Sequence, residues 1–188
     1  MNLGQTMLVI AAISILGILV LNANRTVLET NETQNLSEFG ITAVSLATSL
    51  TEEAQGKMFD EVIEDSTTMA LTNPDQLTAS ASLGKDPGEV YRGGALDFDD
   101  FDDFDGLFLV YKSPLDSALT PGSNEEITVP GIREKYYVKC RVQYVAPGNL
   151  DLPVTTRQWH KRLTVTVSAA SPTMKDTLVY PSVMSYWN

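Results

Sequence analysis

Apolar residues crowd the start of the chain, then recur as on one helix face, then alternate as in strands. From Met7 to Leu21 the chain reads MLVIAAISILGILVL, and no charged side chain occurs between Met1 and Asn24. Leu3 to Leu21, with Gln5, Thr6 and Ser14 as its polar members, is about as long as the roughly 20 residues a helix needs to cross a bilayer. Beyond it Leu36, Phe39, Val44, Leu46, Leu50, Ala54, Met58, Val62 and Ile63 recur near the helical period, with Glu52, Glu53, Asp60, Glu61, Glu64 and Asp65 filling much of the opposite face. No proline precedes Pro74. The spacing predicts one helix from about residue 2 to about residue 70, loosened near Asn31 to Asn35, bent at Gly40 and Gly56, and stopped by Asn73-Pro74.

After Pro74 the period shortens to that of strands. Leu107 to Lys112, Ile127 to Val129, Lys135 to Val145, Arg162 to Ala169 and Thr177 to Tyr180 are β-type runs between Gly and Pro punctuation. Tyr136, Val138, Cys140, Val142 and Tyr144 share one face of the clearest strand, and Tyr137, Lys139, Arg141 and Gln143 share the other. Leu163, Val165, Val167 and Ala169 alternate in the same way with Arg162, Thr164, Thr166 and Ser168. Pro147-Gly148 suits an antiparallel connection, which places these two strands at the centre of a sheet with Cys140 as an inert inward thiol. The fold class is therefore α+β: a long N-terminal α-helix with an apolar first half, and a C-terminal antiparallel β-sheet head. Residues 1–73 form the stem, with 1–24 as its membrane or filament-core segment, and residues 74–188 form the head.

A secretory signal peptide would place Lys or Arg before the apolar run and a small-residue cleavage site after it. Here the first positive charge is Arg25, beyond the run. This order predicts that a basic leader is removed and the apolar start kept. One cysteine and one histidine exclude an intrachain disulfide, a typical zinc site and a CxxCH haem attachment. The formal charge of −11 is unevenly spread: residues 25–73 and 74–106 each hold nine acidic and two basic side chains, whereas 107–188 hold nine basic and six acidic. An acidic middle and a basic end suit packing against copies of the same chain, and equally suit a solvated acidic surface. The overall sign disfavours nucleic acid as a partner.

A retained apolar N-terminal helix, an amphipathic continuation and a β-rich head together resemble the type IV pilin superfamily. Residue-level likeness is confined to about the first 25 positions, while the architecture is matched along the whole chain. The resemblance implies that the apolar half anchors a precursor in the membrane and then packs with its neighbours as the core of a helical filament. Met1 stands where processed members carry a hydrophobic, commonly N-methylated first residue. Gln5 stands where the family usually has Glu; an amide accepts a hydrogen bond from a neighbour's ammonium but supplies no countercharge. Asn22 and Ala23 occupy the region of the usual kinking proline. Trp159 to Val167 is similar to the late strand of pilin-like heads, although it is also simply a good strand. Assembly would engage Met1, Gln5, Met7, Leu8, Ile10, Ile13, Leu16 and Leu19.

Asp97 to Asp105 holds six carboxylates in nine residues: Asp97, Asp99, Asp100, Asp102, Asp103 and Asp105. Oxygen ligands at this density suit a hard cation such as calcium, although the spacing is not that of an EF-hand. Phe98, Phe101 and Phe104, at every third position, would fasten one side of a short turn or 3₁₀ segment to the head and leave the Asp residues facing out. The other readings are a solvated acidic turn, or a contact with Lys139, Arg141, Lys161 or Arg162 of an adjacent subunit. Asn24, Asn31 and Asn35 each begin an N-glycosylation pattern. His160 reads as a surface or packing residue, Gly93-Gly94 as an isolated turn, and Tyr186-Trp187 as an aromatic plug on the sheet.

The expected function is a structural subunit of an extracellular type IV pilus-like filament, catalysing nothing and requiring no cofactor, with calcium as a candidate ligand. Its partners would be copies of itself, the membrane before assembly, and the pilus assembly machinery. The alternatives are a minor pilin or secretion pseudopilin, or a single-pass membrane-anchored β-domain.

Overall fold

The computed structural model describes residues 3–64, 71–94, 97–170 and 177–187. Helix α1 runs unbroken over Leu3–Gln55. The chain divides into two compact units, Met1–Ile41 and Thr42–Asn188.

In the first unit the helix continues through the Asn- and Thr-rich stretch expected to loosen. The hydroxyls of Thr26, Thr30 and Thr33 donate to the carbonyls of Asn22, Thr26 and Glu29, at 3.0, 2.8 and 2.9 Å. These donors are satisfied inside the helix and do not compete with its amide ladder from outside it. Arg25 and Glu29 add an exposed i,i+4 pair at 2.8 Å. Gly40 lies within the helix and does not end it.

In the second unit Ala43, Ala47, Leu50 and Ala54 form a buried stripe at helical spacing. The helix stops at Gln55, well short of the expected end near residue 70. Its successor α2 is a single turn, Glu61–Glu64, and residues 65–70 lie outside those described. The stop has a tertiary cause. Met58 N–H donates to Asp99 O (3.0 Å) and Phe101 N–H donates to Met58 O (2.8 Å), while Phe59 and Asp60 are drawn into the interior. A backbone bridge and a buried ring outweigh the helical spacing of Met58, Val62 and Ile63.

The sheet comprises β1 (Phe108–Lys112), β2 (Glu125–Thr128), β3 (Tyr136–Ala146), β4 (Asn149–Pro153), β5 (His160–Ala169) and β6 (Thr177–Ser185). Its spatial order is β2-β1-β3-β5-β6, with β4 paired to β3. β3 and β5 pair antiparallel through Val138↔Val167, Cys140↔Val165 and Val142↔Leu163. The inward face expected for β3 is buried along its length. Burial pushes the Cys140 thiol up to about 12, which makes it unreactive.

Three details depart from the sequence reading. β1 and β2 are parallel, because the segment 113–124 is long enough for the crossover that parallel neighbours need. β4 forms a hairpin with β3, and its residues are exposed throughout, Leu150 and Leu152 included; its short polar–apolar alternation lies in the connection between the two central strands and marks no buried face. β6 runs past Pro181 to Ser185, since β6 lies at the edge of the sheet and the ring's missing N–H costs no interior ladder bond.

Leu50 is 2 % exposed. We expect Leu50→Ala to lower folding stability by about 2–5 kcal/mol, measured by chemical denaturation in detergent.

Candidate functional site

The acidic run is built around its phenylalanines. Phe98, Phe101 and Phe104 are buried, and Phe98 and Phe104 meet edge to face at 5.4 Å with Tyr91 against both, at 5.6 and 6.3 Å. Asp102–Phe104 forms the expected 3₁₀ turn. The expected outward set of the carboxylates is corrected: Asp100, Asp102 and Asp103 are buried, and Asp97, Asp99 and Asp105 are half-buried.

Most of these carboxylates are used inside the head. Asp100 Oδ1 accepts from Asp102 N–H (2.8 Å) and Asp103 N–H (3.1 Å), which closes the turn. Asp103 Oδ2 accepts from Asp99 N–H (3.0 Å) and Asp100 N–H (3.1 Å). Asp105 Oδ1 accepts from Val142 N–H (2.8 Å) and ties the run to β3. Asp97 Oδ1 accepts from Arg92 N–H (2.6 Å), and its Oδ2 lies 3.7 Å from Lys57 Nζ. Short polar side chains that satisfy nearby backbone donors are a turn-forming device, so the Asp content here is largely architectural.

Asp102 goes to a different partner. It meets Lys161 Nζ, which also donates to Asp60 Oδ2 (2.7 Å) and Phe59 O (2.8 Å). Lys161 and Asp60 are fully buried and Asp102 is 2 % exposed. The rings of Phe59 and Tyr144 stand over Nζ at 4.7 and 5.6 Å. Asp60 is braced further by Val62 N–H, Thr78 N–H and the Thr78 hydroxyl, at 3.3, 3.2 and 3.0 Å from Oδ1. The sequence reading had offered Lys161 to an adjacent subunit; it is instead consumed within this chain. The signal was present in the alternation, since Lys161 has the parity of Leu163, Val165 and Val167 and lies opposite Tyr144. Of the other cations so offered, Lys139 and Arg141 are exposed on the outer face, and Arg162 donates to Asp151 O (2.9 Å).

The arrangement also brings in Glu89, which sequence reasoning did not include. Oxygens of Glu89, Asp99 and Asp103 lie within 4.8 Å of one another, and Asp99 Oδ1 is buried without a hydrogen bond. Three carboxylate oxygens are fewer than the six to eight that calcium takes. Asp97, Asp100, Asp102 and Asp105 lie outside this cluster, with oxygens engaged elsewhere. Burial, with Asp100 and then Glu89 beside it, holds the Asp103 carboxyl up to about 8. Burial does the same for Asp102, also to about 8, against the pull of Lys161.

The remaining sequence-predicted residues fall on α1 or near the C-terminus. Gln5, Met7, Leu8, Ile10, Ile13, Leu16 and Leu19 are exposed along the apolar half, and Met1 lies outside the described residues. Asn24, Asn31 and Asn35 are exposed on α1, and their spacing puts all three on one face. His160 Nδ1 lies 2.7 Å from Ser185 Oγ. Tyr186 stacks on Trp159 at 5.2 Å as expected, whereas Trp187 is 85 % exposed and does not dock. Comparison with known protein families, with curated proteins and with solved structures finds no match for the chain.

Two outcomes are expected. Lys161→Ala leaves two buried carboxylates without their cation and should cost about 3–5 kcal/mol of stability, read as a lowered denaturation midpoint. The folded state holds the Asp103 proton between its ordinary value of 3.8 and about 8, where the unfolded chain has released it. Stability from this group is therefore full at acid pH and lost as pH rises through about 8. Thermal melts should show a higher midpoint at about pH 5 than at about pH 9, and Asp103→Asn should narrow that difference.

Proposed function

We propose that the chain is a structural subunit of an extracellular, type IV pilus-like filament and polymerises through the apolar half of α1. One observation carries the reading. Leu8, Val9, Ile10, Ile13, Ile15, Leu16, Ile18, Leu19, Val20 and Leu21 are all exposed, and side chains at consecutive helix positions point to every side. An 18-residue window of this helix reaches a mean hydropathy of 2.4, with none of it buried. Each large apolar side chain kept out of water is worth about 1.5–3 kcal/mol, so this surface requires lipid or copies of itself.

The backbone is suited to both surroundings, because a helix satisfies its own amides. Thr6 and Ser14 donate their hydroxyls to Leu3 O and Ile10 O, at 2.8 and 2.9 Å, and add no unsatisfied donor to the apolar length. The Gln5 side chain is exposed, and its amide makes no hydrogen bond among the described residues. In a bundle its amide pairs with a polar group of a neighbouring helix, in the place where the pilin family usually uses a carboxylate. The subunit is held in the membrane before assembly and lies at the cell surface afterwards. It needs no cofactor and performs no catalysis; a minor pilin or secretion pseudopilin is the alternative within the same superfamily.

Shearing of intact cells, pelleting and cryo-electron microscopy test this directly. Thin filaments of this chain with α1 bundled along the axis are the expected result. A protein that stays in the membrane fraction and is extracted by detergent as a monomer would overturn it in favour of a single-pass anchored β-domain. Ile13→Lys places a charge at the middle of the apolar length, at about 2.5–3.5 kcal/mol in a bilayer centre. Sheared polymer should be lost in this variant while the detergent-solubilised head keeps its melting temperature.

A further inference from the structure

Lys161, Asp60 and Asp102 form a closed chemical set. One amine is in hydrogen-bond contact with two carboxyl groups, all three buried, beneath the rings of Phe59 and Tyr144. We propose that Lys161 Nζ and Asp102 Cγ condense spontaneously into an intramolecular amide, with Asp60 as the proton relay.

The step balances without an external reagent. Asp60 takes one proton from the Lys161 ammonium, and the freed nitrogen lone pair attacks Cγ of Asp102. A C–O bond of Asp102 then breaks. Its oxygen leaves as water, carrying the proton held by Asp60 and a second proton given up by the nitrogen. Asp60 returns to its starting state, and one N–C bond has replaced an ammonium and a carboxylate.

The two carboxylates are placed for different parts. Asp60 is fixed as an acceptor by Thr78 and Val62, and Tyr144 O–H approaches its Oδ2 at 3.4 Å, which suits a group that receives and returns a proton. Asp102 sits on a rigid 3₁₀ turn between buried Phe101 and Phe104 and presents its carboxyl to Nζ. Reacting groups held in contact in a fixed orientation gain the advantage of an intramolecular reaction. Burying an ammonium and a carboxylate carries a desolvation penalty, and a neutral amide removes both charges. The amide N–H that remains keeps a nearby acceptor in Phe59 O, which Nζ already meets at 2.8 Å.

Such a bond would clamp the loop after Phe98 to β5 across 59 positions of sequence, a crosslink indifferent to reductant in a chain whose cysteine is single. The test is mass spectrometry of the full chain purified in detergent. The expected wild-type mass is lower by one water than that of the same chain with Lys161→Ala, after correction for the substitution. Proteolysis should yield a branched peptide joining the segments that contain Asp102 and Lys161. Asp102→Asn keeps the shape and should lose ammonia in place of water, and Asp60→Asn should leave the chain largely uncondensed. A wild-type mass with no deficit overturns the proposal. So does a water deficit that maps to Asp105-Gly106, where ring closure on the backbone would give the same mass.

Discussion

One buried cation holds three distant parts of the second unit together. Lys161 comes from β5, Asp60 from the turn that follows α1, and Asp102 from the aromatic loop ahead of β1. An isolated charge in that interior would be prohibitively costly, so none of the three segments can take its place without the other two. The consequence reaches back to the helix. With Asp60 committed to Lys161 and Phe59 packed beneath Nζ, the chain after Gln55 cannot also continue along the helix axis, and the Met58–Asp100 bridge completes the turn.

This dependence explains which features were legible in the sequence. The apolar run, the central strands and the inward parity of Tyr136 to Tyr144 follow from periodicity, which is a local property. The end of α1, the parallel β1–β2 pair and the exposed β4 were not legible, since each is decided by partners far along the chain or by the absence of a buried face. In the acidic loop the phenylalanine spacing correctly gave the 3₁₀ turn and its buried side. The carboxylates were misread because composition counts charge and does not reveal which backbone donors await it. Lys161 was the missed clue: a cation in register with Leu163 and Val165 implied buried anions elsewhere.

The two units meet different physical demands. The second unit engages the carboxylates of Asp60, Asp100, Asp102, Asp103 and Asp105 internally, even where that means interring aspartates beside phenylalanines, and leaves Asp99 Oδ1 as an exception. The apolar half of α1 satisfies only its backbone and its hydroxyls and leaves its whole side-chain surface open. Such a helix can exchange lipid for protein neighbours without changing a hydrogen bond of its own, which lets one conformation serve both before and after the proposed assembly.

Pro181 bears on that assembly from the opposite end of the chain. The outer rim of β6 is where a second sheet would add itself strand to strand, and such growth, once begun, has no natural limit. A residue with no amide hydrogen in the middle of that rim interrupts the row of donors that an incoming strand would need. The β6 edge is thereby a poor template for strand addition, which leaves the proposed assembly to α1.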